Sequence, residues 1–261
     1  MATGRTVNRH QRIYVDGYDL SGYVAAVGPY GIEYEVAKSP VCFTDGVQSS
    51  LPGQPMVTLG DLKGVLDPTA TSGLHAIMKA GTGARKVMVA IGTRAAPAAG
   101  DPVFCGAFQQ GEYKAMDDGG FQAVTIKMEP WDTTNLMAYS KPWGNLVSAY
   151  RTVLTGDTPS TAAGIDDNGG SSLTGGWMMY QIFGGDGKAT ITIEEASTNT
   201  NVNFALLDGA TTGFINCVVP SAGIVAIATN KAVKQYLRWQ IDFTGVGGGT
   251  TATFALAFIR A

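Results

Sequence analysis

Two stretches of strict alternation, each interrupted by glycine, constrain this chain more than any other feature. In residues 235–260, Leu237, Trp239, Ile241 and Phe243 alternate with Tyr236, Arg238, Gln240 and Asp242. Beyond the run Gly245-Val246-Gly247-Gly248-Gly249, Phe254, Leu256 and Phe258 alternate with Thr253, Ala255 and Ala257. Residues 103–128 repeat the plan, with Val124, Ile126 and Met128 sharing a face after the turn Asp117-Asp118-Gly119-Gly120. Side chains on a strand point to opposite faces with period two, so each stretch predicts a half-buried antiparallel hairpin. A chain closed in both halves by such hairpins reads as a scaffold more than a reaction vessel.

The same signal predicts strands at 12–15, 30–36, 57–66, 86–92, 177–183, 188–195 and 223–229. Residues 69–80 predict the one helix, with Leu74, Ile77 and Met78 as its apolar stripe, Thr71 or Ser72 as its cap and Gly81 as its stop. Residues 145–154 read as partly helical, and 39–55 as a long loop carrying Val41, Phe43, Val47 and Leu51. Loops of that length are uncommon in compact domains unless they bind something. Because 155–176 is almost entirely Gly, Ser, Thr, Asp and Ala, the chain divides into a β-domain with an N-terminal arm at 1–145, a linker at 146–176 and a second β-domain at 177–261. Strands and hairpins recur between the halves at offsets of about 130–140 residues, which reads as a structural duplication.

Composition narrows the function. Charged residues are 15% of the chain, against about a quarter in an average soluble domain. A surface so poor in Lys and Glu suits burial between subunits, and a glycine-rich all-β protein with 35 Gly accounts for it equally. The net charge of −3 leaves Arg5, Arg9 and Arg12 as the one positive cluster, which argues against sequence-specific nucleic-acid binding. Three widely spaced cysteines predict reduced thiols. The first twelve residues lack an apolar signal segment, and no apolar run approaches the ~18 residues of a membrane helix, so a soluble protein made in the cytoplasm is expected.

Candidate chemistry dissolves on inspection. Gly184-Gly185-Asp186-Gly187-Lys188 lacks the hydroxyl that follows a phosphate-loop lysine and reads as a turn. Asp166-Asp167-Asn168-Gly169 has no bidentate Glu at calcium-loop spacing. His10 and His75 are too few for a histidine-rich metal site, and no nucleophile elbow accompanies them. Glu33 and Glu35 share a strand face, whereas Glu194 and Glu195 point to opposite faces. No catalytic, cofactor or metal residue is predicted, and the chain is read as not an enzyme.

The opening Tyr14-Val15-Asp16-Gly17-Tyr18-Asp19-Leu20-Ser21-Gly22-Tyr23-Val24, the run Val57-Thr58-Leu59-Gly60-Asp61-Leu62-Lys63-Gly64-Val65-Leu66-Asp67-Pro68 and the hairpins resemble the tail tube, or major tail, proteins of long-tailed bacteriophages. The resemblance implies a mainly β fold, a tail-tube-like β-sandwich or barrel with one flanking helix, followed here by a second β-rich half. It also implies a structural virion protein that assembles with itself into stacked rings, hexameric or pseudo-hexameric and trimeric. Such a tube partners the tape-measure protein and tail terminator or tip proteins, and passes DNA through its lumen without sequence-specific binding. The polar arm and the 39–55 loop are then the stacking elements, with Arg5, Arg9, Arg12, Phe43, Val47 and Leu51 as subunit contacts. The virion tail is the implied location and the host cytoplasm the place of assembly. A capsid decoration or fibre-type binding module is the alternative.

Overall fold

The computed structural model describes residues 8–38, 50–69, 73–79, 83–93, 95–118, 120–131, 141–154, 163–167, 170–244 and 248–261. The fold is mainly β. Its strands are β1 (Gln11–Val15), β2 (Tyr18–Asp19), β3 (Val24–Val27), β4 (Tyr30–Lys38), β5 (Ser50–Leu59), β6 (Leu62–Val65), β7 (Ala84–Ile91), β8 (Pro102–Asp118), β9 (Phe121–Pro130) and β10 (Trp143–Leu154). There follow β11 (Ile165–Asp166), β12 (Gly176–Gly185), β13 (Lys188–Ala196), β14 (Ala205–Thr211), β15 (Ile215–Asn216), β16 (Ser221–Ile227), β17 (Tyr236–Asp242) and β18 (Thr251–Arg260). Helix α1 (Leu74–Met78) lies between β6 and β7.

One 11-stranded sheet runs β16-β12-β18-β10-β8-β7-β1-β2, with β9, β6 and β3 branching from β8, so strands from both ends of the chain share it. A 5-stranded sheet holds β11, β17, β13, β14 and β15, and β4 with β5 forms a 2-stranded sheet. Alternation in the long sheet feeds two cores at once. Val87 and Val89 of β7 join Ile13, Val15, Phe104 and Phe108 in a core closed by α1, while Met88 and Ala90 join Tyr14, Val103, Cys105, Trp177 and Met179 in a second. β18 divides the same way. Phe254, Leu256 and Phe258 face the 5-stranded sheet in a third core, and Ala255, Ala257 and Ile259 face Tyr14 and Met88. The long sheet therefore curls back until its ends meet. At that seam the Asp16–Gly17 turn, with φ 51° and 84°, packs on β12. Gln181, fully buried, accepts a hydrogen bond from the Gly17 N–H at 2.6 Å and donates to the Lys86 carbonyl at 3.0 Å, and Arg85 donates to Asp16 at 3.0 Å. An Asp-Gly pair is the natural choice for two consecutive positive φ angles.

Several expectations are corrected. The 103–128 hairpin forms as β8 and β9, but residues 235–260 are not a hairpin: β17 lies in the 5-stranded sheet and β18 in the 11-stranded one. Both strands present large apolar faces to the same core, so burial is greater when they oppose each other than when they pair. The hairpin correspondence on which the duplication partly rested is therefore absent. Residues 145–154 are strand, not helix. The 57–66 strand is two strands broken at Gly60-Asp61, where Gly60 donates to Pro29 O at 2.7 Å and lies against Gly28. Residues 50–55, read as loop, belong to β5. The helix is five residues long with Gly73 as its N-cap in place of Thr71 or Ser72, which lie outside the described residues, as does Gly81. Its stripe of Leu74, Ile77 and Met78 is buried as expected.

The turn at Asp186-Gly187 carries the chain from one sheet to the other. Asp186 accepts hydrogen bonds from the Thr250 N–H at 2.6 Å, the Thr251 N–H at 2.8 Å and the Thr250 hydroxyl, which together hold its carboxyl at a pKa of about 2. A folded-state pKa below the unfolded value contributes stability above the unfolded pKa and loses it as pH falls. Thermal melts should therefore weaken as pH drops from 3.8 toward about 2, and Asp186→Ala should flatten that part of the profile. Identical acid limbs in the two proteins would contradict the role given to Asp186.

Candidate functional site

Where β1 and β3 approach each other, a polar cavity of about 260 Å³ opens. Arg9, Gln11, Arg12, Ser21 and Tyr30 supply its polar lining, and Val24–Val27 form one wall. Two of the sequence-predicted contact residues, Arg9 and Arg12, are thus brought together. Arg12 donates one nitrogen to the carbonyls of Arg9 at 3.1 Å and Gln11 at 2.8 Å, and Arg9 Nε donates to His10 Nε2 at 3.2 Å. Gln11 donates to the Tyr30 hydroxyl at 3.0 Å, and burial raises the pKa of that hydroxyl. Arg9 and Arg12 form no ion pair among the described residues. The cavity is a concentration of N–H and O–H donors, suited to an anion.

Tyr30 is also the root of the β4–β5 hairpin. In that ribbon Tyr30 opposes Leu59, Ile32 opposes Val57 and Tyr34 opposes Pro55. Direct partners share a face, so one apolar face runs out along the ribbon. Its base is core, with Val57 and Leu59 at 2% and 3% exposure, whereas Tyr34 and Val36 are 54% and 53% exposed. The other face carries Glu33, opposite Met56 and exposed, which accepts a hydrogen bond from the Thr58 hydroxyl at 3.3 Å. Leu51 is in β5 opposite Ala37, and Arg5, Phe43 and Val47 lie outside the described residues.

β3 pairs β6 alone among the described strands. Ala25 of β3 also lines a neighbouring, mostly apolar groove of about 490 Å³ with Asp61, Lys63, Val65, Met116 and Phe121. Val65, Ala123 and Met116 are successive cross-strand partners on β6, β9 and β8, so they share the outer face, and Phe121 lies two residues from Ala123 on that face. Val65, Met116 and Phe121 are 47%, 57% and 67% exposed. Contiguous exposed apolar residues of this size mark contact surfaces. The signal for them was present in the alternation of β6, β8 and β9, but only the pairing register shows that they adjoin.

Other polar groups that could suggest chemistry have structural partners. His75 Nδ1 lies 3.0 Å from the Tyr113 hydroxyl, and Arg238 pairs with Glu194 at 2.6 Å while stacking over Phe204. Burial raises the Cys105 thiol pKa well above its ordinary value. Among the described residues no group of three or more His, Cys, Asp or Glu is placed to hold a metal ion, and no helix is long and apolar enough to cross a membrane.

No protein-family model matches the chain, and no curated protein matches it either. Among solved structures it is similar to the SPP1 Dit (gp 19.1) protein, described as a paradigm of the hub adsorption apparatus in phages that infect Gram-positive bacteria. The identity is 12%, the alignment covers 96% of this chain and 98% of that one, and the TM-score is 0.32.

Proposed function

We propose that this chain is a structural protein of a phage tail, assembling with copies of itself into stacked rings that form the tail tube. The observation that carries the reading is the β4–β5 ribbon, whose apolar face continues past the core into solvent at Tyr34 and Val36. An isolated two-stranded ribbon is marginally stable in water, and its open edges invite pairing. The groove at Val65, Met116 and Phe121 is a second surface that association would cover. Different patches meeting head to tail give rings or filaments, which is what a tube requires. The resemblance in sequence to tail tube proteins supplies the rest: rings of six or three subunits, contacts with tape-measure and terminator or tip proteins, and passage of DNA through the lumen.

Negative-stain imaging and sedimentation of the purified protein test this. Hollow filaments are expected on concentration. The double variant Tyr34→Ser/Val36→Ser should keep its stability within about 0.5 kcal/mol, as exposed substitutions do, and fail to form them. A wild-type protein that stays monomeric when concentrated would overturn the proposal, and discrete closed oligomers without filaments would replace it with a decoration or fibre module.

A further inference from the structure

We infer that the cavity of Arg9 and Arg12 receives the acidic face of the β4–β5 ribbon, carried by Glu33, from a second copy of the chain. The inference rests on the assembly reading and names its receptor. Charge complementarity points to the occupant. The cavity offers guanidinium N–H groups with no carboxylate partner among the described residues. Glu33 is an exposed carboxylate whose one partner among the described residues is the Thr58 hydroxyl. Two other exposed carboxylates, Glu129 and Asp208, already hold Lys127 and Lys231.

The two surfaces also match in order. The ribbon has an apolar face with Tyr34 and an acidic face with Glu33 on either side of its edges. The receiving surface has the groove of Asp61, Val65, Met116 and Phe121 adjoining the cationic cavity, with Ala25 of β3 lining both. A ribbon laid across β3 brings its apolar residues to the groove and Glu33 to the cavity. Ion pairs desolvated at an interface couple far more strongly than those on open surface.

Charge reversal decides it, read by sedimentation of the full chain. Arg12→Glu and Glu33→Arg, each alone, should weaken association at least about tenfold. Mixing the two should restore it, because each arm then meets an opposite charge in the other copy. Arg9→Glu, an exposed position, provides the same test if Arg12→Glu does not fold. Single variants that assemble like wild type would overturn the inference while leaving the tube reading intact. Failure of the mixture to recover association would also overturn it, and a wild-type chain that never associates would overturn both.

Discussion

Phe254→Ala is expected to lower the unfolding free energy by about 3–5 kcal/mol, the usual cost of removing a fully buried phenyl ring. Phe254 is 0% exposed and meets Trp239 edge-on, with ring centroids 5.4 Å apart. The two rings come from β18 and β17, which belong to different sheets, so the contact spans the core between them. Neither backbone can close the resulting void without dragging its own sheet. For a chain of this size the loss corresponds to a fall in Tm of about 5–10 °C. Urea denaturation should give the free energy, and adding Trp239→Ala should cost less than the sum of the two single losses, since the pair shares its packing. Strict additivity with a small loss at Phe254 would mean that the rings do not face each other across a sandwich.

That contact also marks the limit of what was legible in the sequence. Period-two alternation located β4, β7, β12 and β13 because it reflects a local choice of faces. It says nothing about which strand lies alongside, and so β17 and β18 read as a hairpin when their inward faces oppose one another. β10 failed for a different reason. Its pairing with β18 shifts register between Leu146 and Ser148 and again between Ser148 and Arg151. These irregularities break the alternation and leave apolar residues at spacings that imitate a helix. β18 hid its second role because Ala255 and Ala257 look like a bland outer face, yet they are fully buried against the other half of the chain. At the candidate site, Arg9 and Arg12 were visible as clustered charge. Gln11, Ser21 and Tyr30 were not, because β1, the turn after β2 and the root of β4 come together only through the fold.

Arg260→Ala should be the most damaging polar change to the C-terminal strand, at about 3–5 kcal/mol near neutral pH, the cost of leaving one member of a buried ion pair alone. Arg260 donates to Asp167 at 2.6 Å, to the Ser172 hydroxyl at 3.0 Å and to the carbonyls of Val233 at 2.8 Å and Lys234 at 2.5 Å. One side chain thus fastens the segment before β12 and the approach to β17 onto the end of β18. The side chains of Arg260 and Asp167 are 9% and 2% exposed. Burial raises the Asp167 pKa above 3.8 even though Arg260 draws it down, and without the guanidinium burial acts with less opposition. A raised folded-state pKa gives stability that is present below the unfolded value and lost as pH climbs through the folded one. The damage from Arg260→Ala should therefore shrink as the medium is acidified and the stranded carboxyl takes up a proton. Replacing both partners, as Asp167→Leu/Arg260→Leu, should cost less than Arg260→Ala at neutral pH, because it removes the isolated charge along with its cation. Denaturation curves at neutral and acidic pH for the three proteins decide this. A penalty that does not change with pH, or a double variant no more stable than the single one, would show that Asp167 is solvated and that the C-terminal strand is held by its apolar face alone.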